Sequence, residues 1–206
     1  MKRFFHENGL SVVLLVAFLV FWAAQAVTGH HVYQKGQHLH GQPAEGYASY
    51  LTSGHFWQAT GENWESEFLQ MGAYVVLTTY LFQRGSAESH NPDDAEKLKR
   101  ERKSKEAGWL YSHSLSLAFL ALFALSFAIH ALGGWRESNQ DLSEHGQPPA
   151  SLEEFLTGSE FWFQSFQNWQ SEFLAVLAIV VLSIFFRQNG SPESKDVHAS
   201  NHENGD

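Results

Sequence analysis

The 206 residues carry a formal net charge of -9, are 44% hydrophobic and 15% aromatic, and include no cysteine. The acidic balance argues against wholesale nucleic-acid binding, since a phosphate backbone has to be neutralised by Lys and Arg. Without cysteine there are no disulfides, thiolate zinc sites or cysteine nucleophiles.

The hydrophobic residues gather in four blocks. The first runs from Leu10 to Val27, broken only by Ser11 and Gln25, and reaches the lower limit for crossing roughly 30 Å of hydrocarbon. It reads as a transmembrane helix over about residues 9–28. Lys2 and Arg3 ahead of it, and Ala24-Gln25-Ala26 at its end, outline a signal peptide. The apolar run is long for one, however, and the third block is its internal counterpart.

An outer loop follows, with His30, His31, His38, His40 and His55. Pro43 marks a turn. Tyr47, Tyr50 and Leu51 are spaced for one face of a short amphipathic helix lying in the interface. The second block, Phe68 to Phe82, is too short to span alone, and Arg84 closes its far end. It must extend backwards through Asn63-Trp64-Glu65-Ser66-Glu67, giving a span of about residues 63–83.

Residues 91–108 read as a charged linker helix. Asn91 can cap it, Pro92 takes its first position, and Asp93 and Asp94 fill its first turn. The third block, Leu115 to Leu132 with Ser116, Ser126 and His130, predicts a span of about residues 113–133. In the next loop Leu152, Phe155 and Leu156 again share one face, and Ser151 with Glu154 forms a capping-box pattern. The fourth block, Phe173 to Phe186, extends back through Asn168-Trp169-Gln170-Ser171-Glu172 to give a span of about residues 168–187. The acidic tail, residues 196–206, reads as disordered.

Sliding the chain against itself by 105 residues aligns its halves without a gap. His40-Gly41-Gln42-Pro43 falls on His145-Gly146-Gln147-Pro148, and Phe56-Trp57 on Phe161-Trp162. Ser66-Glu67-Phe68-Leu69 falls on Ser171-Glu172-Phe173-Leu174, and Gly85-Ser86 on Gly190-Ser191. The fold expected is all-α: a four-transmembrane-helix bundle of two parallel tandem repeats, residues 1–90 and 109–195, with short amphipathic interfacial helices in both outer loops.

Of the 13 Lys and Arg, eleven precede the first span, follow the fourth or lie between the second and third; only Lys35 and Arg136 lie in the other loops. This places both termini and the linker in the cytoplasm.

The polar residues within the spans form the candidate site. Asn63, Ser66, Glu67 and Gln70 are three and four residues apart, on one helix face. Asn168, Ser171 and Glu172 repeat the pattern. Gln25 and His130 lie at a similar depth. Glu67 and Glu172, with Asn63, Asn168, His130 and Gln25, form a candidate cation or proton site near the outer face. The competing reading is that these side chains glue helices together. Trp57, Trp64, Trp162 and Trp169 are expected as interfacial anchors. His38 and His40 offer a weak metal pattern. No nucleotide-binding or hydrolase motif is present, so no enzyme is expected.

The run Phe166-Gln167-Asn168-Trp169-Gln170-Ser171-Glu172-Phe173-Leu174, the run Arg187-Gln188-Asn189-Gly190-Ser191-Pro192-Glu193-Ser194-Lys195, and Gly134-Trp135-Arg136-Glu137-Ser138-Asn139 before His145-Gly146 carry a resemblance. They resemble a family of small bacterial membrane proteins classed only as a domain of unknown function. The resemblance covers nearly the whole chain. It implies a bacterial inner-membrane location and a four-helix build, and brings no activity or catalytic residue; the cofactor stays unknown. The first half departs from the pattern, with Gly61-Glu62 in place of Phe166-Gln167. The function expected is structural or interactive, the partners being membrane lipid and a protein or a second copy; the alternative is a small transporter using the paired glutamates.

Overall fold

The computed structural model describes residues 2–104 and 108–205, without the side chains of Lys2 and residues 101–104. Every regular element among these residues is helical. They are α1 (Lys2–Leu39), α2 (Tyr47–Tyr50), α3 (Gly54–Tyr80), α4 (Ala95–Ser104), α5 (Trp109–Ser112), α6 (Ser114–Glu144), α7 (Leu152–Thr157) and α8 (Ser159–Phe185), with one 3-10 turn, Pro92–Asp94, ahead of α4. The last part of the linker helix expected over 91–108 lies outside the described residues.

Helices α1, α6 and α8 are long and apolar enough to cross a membrane. Helix α3 is not among these three, because Glu62, Asn63, Glu65, Glu67 and Gln70 dilute the apolar stretch that begins at Phe68. α3 and α8 each have 27 residues, and their bounds differ by 105 positions.

α1 and α6 continue well beyond their apolar runs. At 1.5 Å per residue, the 38 residues of α1 make a rod of about 57 Å. Nothing in His30–Leu39 or in Gly133–Glu144 forbids helix: no proline interrupts either stretch. Both helices end on a glycine with positive φ, 69° at Gly41 and 66° at Gly146. The next amide reaches back to close the turn: Gln42 N–H to the Gln37 carbonyl at 2.9 Å, Gln147 N–H to the Leu142 carbonyl at 2.8 Å. This is the Schellman ending that a left-handed residue makes possible.

The chain divides into two compact units, Met1–Thr60 with His130–Phe155, and Gly61–Ile129 with Leu156–Asp206. In the first, Ala26, Tyr33, Tyr50 and Phe56 form the core, with Trp22, Leu51 and Trp57 against it. Small residues allow its close approaches. A Cβ on Gly29 would strike the Tyr50 hydroxyl, and Gly54 and Gly133 let α3 and α6 touch backbone to backbone. α6 is tied to the following loop at Ala150, whose carbonyl accepts from Trp135 Nε1 (2.8 Å) and from Asn139 (3.1 Å). Ser151 and Glu154 form the reciprocal cap expected from sequence: the Ser151 N–H donates to Glu154 Oε2 at 2.7 Å, and the Glu154 N–H to Ser151 Oγ at 3.2 Å.

In the second unit the fully buried Phe161 packs edge-on against Phe127 at 5.3 Å. Asn91 Oδ1 accepts from the Asp93 N–H at 3.0 Å and starts the linker, as expected. The buried Ser183 hydroxyl of α8 meets Ser86 at 3.0 Å and accepts the Ala87 N–H at 3.1 Å. The tail reads as disordered in sequence, yet it folds back on this loop. Asn204 donates to the carbonyls of Gln83 (2.8 Å) and Ser89 (2.9 Å), and Lys195 donates to the carbonyls of Ser200 (3.1 Å) and Glu203 (2.8 Å).

Candidate functional site

Burying a carboxylate costs several kcal/mol unless hydrogen bonds replace its water, so the buried polar side chains of α3 show what the helix is built to do. Glu65 is fully buried and accepts the indole N–H of Trp169, on α8, at 2.9 Å. One turn on, the buried Gln70 donates its amide to the backbone carbonyl of Glu172 at 2.8 Å. Ser66, also buried, returns its hydroxyl to the Asn63 carbonyl at 2.9 Å. The inward face of α3 therefore spends Glu65 and Gln70 on α8.

The expected glutamates sit differently. Glu67 is exposed and Glu172 half-buried. The two are close enough for the Glu67 charge to act on Glu172. Asn168 is turned to its own helix, donating to the Gln164 carbonyl at 3.1 Å, and Asn63 is exposed. Gln25 and His130 fall in the first unit, where Gln25 donates to Thr60 Oγ1 at 3.5 Å and His130 is fully buried. Among the expected anchors, Trp57 packs on the aromatic core of the first unit and Trp162 donates to the Leu156 carbonyl at 2.9 Å. Trp64 is half-buried, and Trp169 serves Glu65.

Sequence reasoning passed over Glu65. A signal was there: the position 105 residues on is Gln170, so Glu65 breaks an otherwise matched run.

A second acid group lies past the end of α3. The Tyr74 hydroxyl donates to Glu88 at 2.5 Å, and Glu193 sits beside the same carboxyl. Burial pushes the Glu88 carboxyl above its ordinary range; the Tyr74 hydroxyl opposes this and the neighbouring Glu193 adds to it. Tyr74, Thr78, Glu88 and His90 line a surface cavity of about 490 Å³.

Of the histidine pair expected to favour a metal, His38 is exposed. His40 instead meets His145 and Asp141: one ligand atom from each lies within 4.8 Å of the others.

A family model matches the chain over residues 1–206, with the description "Domain of unknown function (DUF6766)". No curated protein and no solved structure matches.

Proposed function

We propose, starting from the fact that the chain belongs to this uncharacterised family, that it is an integral membrane protein with four crossings and a structural or interaction role. α1, α3, α6 and α8 make the crossings, as two tandem helix pairs. What supports the pairing is the common offset of 105 residues in the bounds of α3 and α8, and in the left-handed glycines Gly41 and Gly146, Gly85 and Gly190. What supports a crossing by α3 is that its buried polar side chains bond to α8, which removes the cost of carrying them into lipid. The lopsided Lys and Arg distribution puts both termini and the linker in the cytoplasm. The membrane is a bacterial inner membrane, and the chain is not an enzyme.

The observation that carries the structural role is the Glu65–Trp169 bond, which commits the one fully buried acid of α3 to a neighbouring helix. A second reading, a small cation- or proton-binding transporter, is favoured by the charge coupling of Glu67 and Glu172.

One set of variants separates the two. In proteoliposomes carrying a pH-sensitive dye, Glu67→Gln and Glu172→Gln should leave cation and proton flux unchanged, while Trp169→Phe lowers the unfolding temperature. Flux that disappears in the glutamate variants, with unfolding unaltered, would overturn the structural reading in favour of transport. Topology is checked with single cysteines, for which the natural chain gives a clean background. Gln42→Cys should react with an impermeant maleimide on intact cells, and Asp94→Cys only after lysis.

A further inference from the structure

The turns ending α1 and α6 bring His40 and His145 together, with ring centres 5.5 Å apart and planes at 85°. One nitrogen of each and one carboxylate oxygen of Asp141 all lie within 4.8 Å of one another. A tetrahedral ion with N and O ligands at about 2.0–2.2 Å holds those atoms about 3.3 Å apart. All three side chains are well exposed, so small rotations close the difference.

Glu144 holds His40 in place. Its Oε2 lies 3.3 Å from His40 Nδ1, while its Oε1 accepts the amides of Gln37 (3.3 Å) and Gln140 (3.1 Å). A fixed carboxylate against an imidazole is the arrangement that orients a metal-binding ring and raises its basicity.

Beneath lies a surface cavity of about 220 Å³, whose lining includes His40, His55, Glu137, Asp141 and Glu144. Inside it, His55 Nδ1 and Glu137 Oε2 are buried without a hydrogen-bond partner among the described residues. Glu45, Asp141 and Glu144 all act on the charge of Glu137. The cavity thus gathers carboxyl groups and unmet polar atoms beside the His40 imidazole.

We propose that this cavity mouth binds a divalent first-row transition metal, with His40, His145 and Asp141 as ligands and Glu144 as a positioning residue. Two imidazole nitrogens select against magnesium and calcium, which take oxygen ligands. Three protein ligands leave a fourth position to water. The site goes beyond the structural role proposed above and does not depend on the number of membrane crossings.

The test uses the full chain, purified in detergent through a histidine-free tag, in a background where His198→Gln and His202→Gln remove the tail histidines. Zn²⁺ is titrated calorimetrically, and Co²⁺ is added separately to read coordination from its visible spectrum. One Zn²⁺ per chain is expected. His40→Gln, His145→Gln and Glu144→Gln should each weaken binding by about tenfold or more, while His38→Gln and His31→Gln leave it unchanged. Zn²⁺ should raise the unfolding temperature of the parent protein and not that of the His40→Gln, His145→Gln double variant. Should a histidine variant unfold earlier than its parent without metal, Asp141→Asn carries the same test. The proposal is overturned if the parent binds no Zn²⁺, if the double variant binds as well as the parent, or if His38→Gln is as damaging as His40→Gln.

Discussion

Replacing Gly133 by alanine tests whether α3 and α6 touch through their backbones. An added Cβ would lie 2.5 Å from the backbone nitrogen of Gln58 and 2.8 Å from the carbonyl carbon of Trp57. Ordinary carbon contacts sit near 3.5–4.0 Å, so the two helices must part by roughly 1 Å at this level. Both obstacles are backbone atoms, so no side chain can rotate out of the way. Overpacking of this kind costs about 1–3 kcal/mol. Alanine gains about 1 kcal/mol over glycine in a helix interior, which leaves a net loss of up to about 2 kcal/mol. Gly36, on α1, provides the control: a Cβ there meets nothing within 4 Å, and the same swap should gain up to about 1 kcal/mol. The chain has seven tryptophans, so thermal unfolding of the purified protein in detergent can be followed by intrinsic fluorescence. Gly133→Ala should unfold below the natural protein, and Gly36→Ala at or above it. If Gly133→Ala gains as much stability as Gly36→Ala, the backbone contact is absent and the reasoning fails.

Glu88 gives a pH dependence. Its carboxyl sits above the ordinary value in the folded protein, through burial first and Glu193 among the further causes. The ionised form is therefore the disfavoured one, so the stability it contributes is full below the unfolded value and is lost as pH rises through the folded one. Glu88→Gln should match the natural protein in acid and exceed it once the pH has passed the raised folded-state value, as read from unfolding temperatures across pH. The left-handed turn at Gly146, with φ of 66°, predicts a loss of roughly 1 kcal/mol for Gly146→Ala. Gly108→Ala, at ordinary φ with open space around it, should leave unfolding unchanged.

Local signals in the sequence carried far. Asn91 and the Ser151–Glu154 pair cap where their residue types and spacing say they should. The two short apolar blocks do lie in helices that begin well upstream of them: α3 starts at Gly54 and α8 at Ser159. Long-range choices were harder to see. Helical spacing puts Asn63, Ser66, Glu67 and Gln70 on one stripe, but the packed face of α3 is rotated slightly and takes in Glu65, leaving Glu67 outside. Hydropathy ends α1 near Val27, since polar residues beyond a span look like loop. The helix runs on to Leu39 because nothing breaks it before the Gly41 turn. His38-x-His40 is a pattern along the chain, whereas the partners of His40 are Asp141 and His145, brought in by a matching turn more than a hundred residues away. The tail looks like an unanchored acidic segment until Asn204 is seen capping four carbonyls of the loop after α3.

The length of α1 sets where its far end can be. From Val27 to Leu39 the helix adds twelve residues, about 18 Å at 1.5 Å per residue. With the apolar run submerged, the histidine turn is carried clear of the lipid headgroups, like a lamp on a post. Ions and water-borne molecules then arrive from bulk solution, and changing the lipid composition should leave their access untouched.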